Sequence, residues 1–354
     1  MANRTYGFGI IGAGMISHIH AKAINDIPHA RIAGVFNINP AKADAFASQY
    51  QCKAHHQLED MLADPAIDIV CICTPSGAHL EPALKSIAAG KHCLIEKPLE
   101  VTLEKSDAII NAAASAGVKI GVIFPSRFYP ASMQLKKAVD ENRFGNLVLG
   151  DAYVKWYRSA AYYKSAAWRG TWQLDGGGAL MNQGIHSVDL LQWYMGPVAS
   201  VQAFTANRQH KGIEVEDTVV AVLKFANGAL GNIEASTAIF PGSLKKIELM
   251  GTAGSAVMEE STLIKWDFEQ QLPADQDVHE LMSKPKSTVG GAANPADLST
   301  LGHQYQIEDM IDAVEKDKDP LVDGLEGRKS VEIVLAIYES ARTGKMVTLP
   351  LNKT

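Results

Sequence analysis

The order of apolar and polar positions divides the chain near residue 126. Up to there, short apolar runs alternate with stretches of helical spacing. "YGFGIIG", "ARIAGVF", "DIVCICT", "KHCLIEK" and "VKIGVIF" read as strands. Between them, "MISHIHAKAINDI", "PAKADAFASQY", "HLEPALKSIAAG" and "LEKSDAIINAAASAG" repeat apolar residues as helices do. Pro40 sits where a first helical turn accepts proline, and Gly90 closes a later helix. Such alternation predicts an α/β domain over residues 1–125, a mostly parallel sheet with helices on both faces. The pattern then changes. "NLVLGDAYVKWY" is a longer alternating strand, and Asn227-Gly228 between apolar runs signals a hairpin. "KKIELMGTAGSAVMEES" reads as a second hairpin. Residues 126–354 are therefore expected to form a second α/β domain on a large, mainly antiparallel open sheet. Residues 269–300 read as a loop, and the closing helices within 303–343 are placed to pack back on the first domain.

Composition narrows the function. A chain of 354 residues suits two domains, and 47% apolar residues supply their cores. The net charge of −6, without a basic block, argues against nucleic acid or an anionic membrane as partner. No apolar run reaches the roughly 18 residues of a membrane span, and the N-terminus lacks a leader pattern; a cytoplasmic protein is expected. Of Cys52, Cys71, Cys73 and Cys93, the last three lie in or beside apolar strand-like runs and read as small buried hydrophobes of a reducing compartment. No second ligand pair follows Cys71 and Cys73, so no metal is expected. The pairs His18/His20 and His55/His56 read as surface or cofactor-rim residues.

"GIIGAGMIS" places Gly12-x-Gly14 between a strand and a helix, with Met15 and Ile16 opening that helix. Glycines there let the backbone turn and approach a pyrophosphate seated on the helix N-terminus. Ser17 takes the place of the third glycine. The second strand ends at Asn37, where an acid would bind the ribose of NAD. Asparagine still bonds a hydroxyl but does not repel a 2′-phosphate. NAD is the first expectation and NADP the second.

A polar stripe marks the other half. In "ALMNQGIHSVD", Asn182, His186 and Asp189 share a helix face. Asp189 either orients His186 or bonds a neighbouring loop. The stripe follows Gly176-Gly177-Gly178 and the segment "WYRSAAYYKSAAWRGTWQLD", dense in Trp, Tyr and Arg. Aromatic faces such as that of Tyr157 pack on sugar C–H surfaces. Arg169 grips a carboxylate or phosphate, or sits in a structural ion pair. Arg127 in "FPSRFYP" is a further cleft candidate; so is Asp175, for which capping is the competing reading. His303 and Tyr305 are placed to close the cleft.

"CICTPSGAHLEPALKSIAAGKHCLIEKPLE" joins these pieces. Thr74-Pro75 with His79, Glu96-Lys97-Pro98, Gly12-x-Gly14, the triple glycine and the His186 helix together resemble the Gfo/Idh/MocA oxidoreductases, the glucose–fructose oxidoreductase and inositol dehydrogenase group. "DGLEGRKSVEIVLAIYESARTGKMVTLP" extends the resemblance to nearly the whole chain. It implies a Rossmann domain followed by an open-sheet domain that often makes oligomer contacts, hence a homodimer or homotetramer. It also implies hydride transfer between a nicotinamide and a secondary hydroxyl carbon of a sugar, sugar acid, sugar nucleotide or cyclitol. Thr74, Pro75, His79, Glu96 and Lys97 would line the cofactor, with Lys97 at the active site. In many relatives an aspartate stands where this chain has Asn182. An amide cannot serve as a general base, which leaves the proton to Lys97 or His186; Lys97 is expected as base and His186 as relay. A similar asparagine occurs in relatives that oxidise the C3 hydroxyl of sugar nucleotides. Two other readings use the same fold: a non-catalytic dinucleotide-binding regulator, and an enzyme that recycles a tightly bound nicotinamide with a second substrate.

Overall fold

The computed structural model describes residues 4–283 and 300–351. The chain forms two compact units. One runs to Pro125 and resumes over the segment ending at Arg328; the other begins at Ser126 and resumes at Lys329.

The first unit is built on β1 (Tyr6–Ile11), β2 (Ala30–Phe36), β3 (Lys53–His55), β4 (Ile69–Ile72), β5 (His92–Ile95) and β6 (Ile120–Val122). Their order is β3-β2-β1-β4-β5-β6, with every neighbouring pair parallel. Parallel strands covered on both faces must be apolar throughout, and all residues of β1 and β4 are buried. The order reverses between β1 and β4, which opens a crevice beyond the carboxyl ends of the strands. Two departures from the sequence pattern are local. β3 is three residues of mixed polarity and gives no periodic signal. The run "VKIGVIF" ends its strand at Val122, while Ile123 and Phe124 continue buried into a turn at Pro125–Phe128. The helix Leu301–Glu315 returns to this unit and packs on the helix Met15–Asn25.

The second unit carries β7 (Leu147–Lys155), β8 (Val198–Ala206), β9 (Thr218–Phe225), β10 (Leu230–Ser236), β11 (Lys246–Gly251), β12 (Gly254–Glu259), β13 (Thr262–Phe268) and β14 (Val347–Thr348). The order is β13-β12-β11-β7-β10-β9-β8-β14, antiparallel except between β7 and β10. Both expected hairpins form. Gly228 takes φ +91° and the Asn227 side chain accepts from the Ala229 amide. Alternate residues of β9 face opposite sides: Val219, Ala221 and Leu223 are buried, while Val220 and Val222 are exposed. The helix Ile185–Met195 covers β7 and β11 on the buried face.

The polar stretch expected as a loop contains the helix Asp275–Ser283, anchored where Arg143 and Trp266 bond the buried Asp275 carboxylate at 2.7 Å. Val278, Leu281 and Met282 share one face, but only Val278 is buried, and three apolar positions in nine residues of a polar stretch make a short signal. Residues 284–299 of that stretch lie outside the described residues. No helix among the described residues is long and apolar enough to cross a membrane.

Candidate active site

In the first unit the glycine loop sits at the reversal between β1 and β4. Gly12 has φ +99°, and a Cβ there would stand 2.8 Å from the Cys73 carbonyl, so only glycine fits. Nothing lies within 4 Å of a Cβ at Gly14, so the loop faces open space. Gly14 begins the helix Met15–Asn25 without a side-chain cap, which leaves the first amides available to an anion. Ser17 returns a 2.6 Å hydrogen bond to the Gly14 carbonyl. Met15 is half exposed, and Ile38 is almost fully so. These features fit a dinucleotide held by Gly12, Gly14, Met15 and Ile16. Asn37 is part of the loop itself: its Oδ1 accepts from Ala13 and its amide donates to the Asn39 carbonyl, both at 3.1 Å. A carboxylate at this position keeps the bond from Ala13 and repels a 2′-phosphate. Asn37→Asp is expected to raise the NAD to NADP preference about tenfold, read as the ratio of kcat/KM; an unchanged ratio would place Asn37 away from the ribose.

At the ends of β4 and β5 the expected cofactor contacts divide. Thr74 and Pro75 are half-buried, and the Thr74 hydroxyl donates to Ala78. His79 is fully buried; its Nδ1 and Nε2 lie 2.9 and 3.0 Å from the carbonyls of Pro98 and Thr74. It ties together the two turns of the rim instead of facing a ligand, which corrects its expected role. Glu96 is corrected likewise. Its buried carboxylate lies 2.8 Å from His20 Nε2 and 3.8 Å from His303 Nε2, and it accepts the Lys97 amide. Burial opposes the Glu96 charge, but the hydrogen bond from His20 and the nearby His303 imidazole hold it well below the ordinary carboxylate range. His20 and His303 are thus cluster residues, neither rim nor lid, and His55 is buried as well. The 2.8 Å contact is a hydrogen-bond length; two ligands each about 2.1 Å from a zinc ion stand farther apart. Lys97 itself is half-buried and joined to Pro98 by a cis peptide bond.

In the second unit the polar stripe begins as a π-helical turn, Ala179–Gly184, which runs directly into Ile185–Met195. Such turns recur at functional sites. The Asn182 amide donates to the Asp175 carboxylate and its oxygen accepts from Gln183. Asp175 is buried and also accepts from the Gly170 amide at 2.8 Å. It holds Asn182 from within and the Gly170 backbone beside it, a structural placement closer to the capping reading than to the substrate reading. Asp189 parts from the stripe altogether. It is fully buried, with both oxygens 2.7 Å from the Arg127 guanidinium and a 3.1 Å bond from Ser330. Arg127, expected in the cleft, is therefore an internal residue bound to Asp189. His186 remains half-buried, one turn after Asn182.

The aromatic segment forms a guanidinium stack. Arg169 lies over Tyr162 at 4.2 Å and Trp168 at 4.6 Å, and donates to the Tyr162 hydroxyl at 2.5 Å. No carboxylate among the described residues pairs with it, so the ion-pair alternative does not form there. Gln183 also donates to the Tyr162 hydroxyl, which joins Arg169 to the Asn182 network. Arg158 is buried over Trp156 and bonds Gln183 at 2.8 Å. Tyr157 stacks edge-on against Phe240 at 5.3 Å. Arg158, Tyr162, Gln183, Glu216 and Tyr338 were not singled out by their sequence context. For the first two the density of Trp, Tyr and Arg was the available signal, and Gln183 stands beside Asn182 in the polar stripe; the last two meet that stripe only through folding.

Residues 6–124 match the oxidoreductase family with an NAD-binding Rossmann fold, and residues 132–257 match the GFO/IDH/MocA C-terminal domain. The inositol 2-dehydrogenase of Rhizobium meliloti is 30% identical over 72% of this chain and 76% of its own length. The scyllo-inositol 2-dehydrogenase (NAD(+)) of Bacillus subtilis is 25% identical over 97% and 96%. The WlbA dehydrogenase of Bordetella pertussis, solved with NADH and UDP-GlcNAcA, is 33% identical, with a TM-score of 0.90 over 99% of this chain and 100% of that one. With its glycine loop at the strand reversal, Lys97 at the rim and Asn182 and His186 on the second unit, the chain belongs to the Gfo/Idh/MocA family of oxidoreductases and carries that family's NAD-binding Rossmann domain.

Proposed function

We propose that the protein is an NAD-dependent dehydrogenase for a secondary ring hydroxyl of an anionic sugar, a sugar nucleotide or sugar acid. The observation that carries the substrate class is Arg169, a stacked guanidinium joined through Tyr162 and Gln183 to Asn182 and paired with no carboxylate among the described residues. Stacking fixes the plane of the guanidinium for bidentate contact with a phosphate or carboxylate. The UDP-GlcNAcA in the Bordetella relative supports a sugar nucleotide. Bound NAD supplies the hydride acceptor. The amide of Asn182, held by Asp175, orients a sugar hydroxyl; Lys97 takes the hydroxyl proton at Nζ, and His186 relays it. Arg169→Met is expected to raise KM for an anionic substrate about 10–100-fold, the worth of one lost charge-assisted hydrogen bond, and to leave neutral sugars unaffected. Equal effects on charged and neutral substrates would remove the anion from the reading.

The same proposal extends to assembly and location. Phe204, Val220, Val222 and Leu230 are exposed on one face of β8, β9 and β10. Their contiguity fits burial against a second copy, giving a homodimer or a homotetramer. The four cysteines, none in a disulfide, fit a cytoplasmic setting.

A further inference from the structure

The helix that carries Asn182 and His186 begins where four backbone amides need acceptors. No nearby side chain provides them. Glu216, from the segment before β9, takes three in succession. Gly178 donates to its Oε2 at 2.9 Å, Ala179 to its backbone carbonyl at 3.0 Å, and Leu180 to its Oε1 at 2.9 Å. The fourth amide, of Met181, donates to the Tyr338 hydroxyl at 3.2 Å, and that hydroxyl in turn donates to Glu216 Oε1 at 2.9 Å. The fit is close: a Cβ at Gly178 would stand 1.7 Å from the Glu216 carbonyl, and one at Gly177 2.2 Å from the Tyr338 hydroxyl. Two of the three consecutive glycines are thus spaces that these two residues fill. The adjacent Asp217 faces the other way and gathers the amides of Arg208, Gln209 and His210, which anchors the segment carrying Glu216 on both sides.

We propose that Glu216 and Tyr338 are positioning residues for the reaction, a remote cap that sets the start of the helix and with it the places of Asn182 and His186. The inference rests on the dehydrogenase reading above. A glutamine at 216 keeps the size but turns an N–H toward an N–H donor, so one amide at the helix start loses its acceptor. Phenylalanine at 338 keeps the ring and removes the bridge between Met181 and Glu216.

The test compares wild type, Glu216→Gln and Tyr338→Phe in two measurements: amide hydrogen exchange over residues 178–184, and steady-state kinetics with NAD. The expected result is at least tenfold faster exchange in that segment and a kcat at least tenfold lower in Glu216→Gln, with the KM for NAD within twofold. Tyr338→Phe moves both readings in the same direction by a smaller factor, and decides the matter should Glu216→Gln fail to fold. Unchanged exchange, or faster exchange with kcat within twofold of wild type, overturns the proposal. A wild-type protein without turnover overturns the dehydrogenase reading and with it the catalytic role of the cap. The exchange result, which needs no substrate, then judges the cap alone.

Discussion

Lys97→Met is expected to lower kcat by about 10²–10⁴-fold, the range that a positioned general base supplies, while NADH binding followed by fluorescence stays within twofold. Methionine keeps the length of the side chain and removes the amine. Lys97 follows Glu96 at the carboxyl end of β5, on the side of the sheet where ligands of this fold bind. Its own amide is held by Glu96, and His79 holds the carbonyl of Pro98 that follows it. The turn is thus fixed from both sides by groups that are themselves buried. The glycine loop that would receive the pyrophosphate follows β1, whereas Lys97 follows β5, two strands away in the sheet, so loss of the amine should spare cofactor affinity. A variant with wild-type kcat would transfer the base role to His186. A variant that loses NADH binding as strongly as turnover would make Lys97 a cofactor residue instead.

The second large effect is on stability. Arg127→Leu is expected to destabilise the second unit by about 3–5 kcal/mol, because it leaves the Asp189 carboxylate buried without its cation. Both oxygens of Asp189 are engaged by Arg127, and neither side chain reaches solvent. On a unit of this size the loss corresponds to a fall of roughly 6–20 °C in the thermal midpoint. Removing both charges should undo most of it: in Arg127→Leu with Asp189→Leu, no charge is left in the apolar interior, and such replacements are often neutral or better. Scanning calorimetry of the two variants decides. Equal losses in the single and the double variant would show that the side chains contribute packing alone, and no loss in the single variant would deny that the pair is buried.

The fold was legible where its signals are local. Fully apolar runs such as "DIVCICT" mark strands that must be covered on both faces, and Asn227-Gly228 marks a turn whose backbone few other residues adopt. Gly12 was legible because a strand, a glycine turn and a helix follow one another directly. The stripe was legible only in part. A regular helix would place Asn182, His186 and Asp189 together, but the segment starts as a π-turn and the last residue faces inward to a partner 62 residues away. His20 meets Glu96 across 76 residues, and Glu216 meets Gly178 across 38. No spacing rule connects such positions; the topology of the two sheets does. Asp175 shows the same limit from the other side: its place before the glycines gave a capping reading and a substrate reading, and folding puts it under Asn182.

The most direct test of the central claim is NADH formation at 340 nm across UDP-sugars, UDP-uronic acids, free sugar acids, neutral sugars and inositols, with wild-type protein and NAD. Turnover is expected to be far stronger with the anionic members than with neutral sugars or inositols, and strongest with a sugar nucleotide. Turnover with inositols or neutral sugars alone, or NADH bound with no turnover on any member, would contradict that claim.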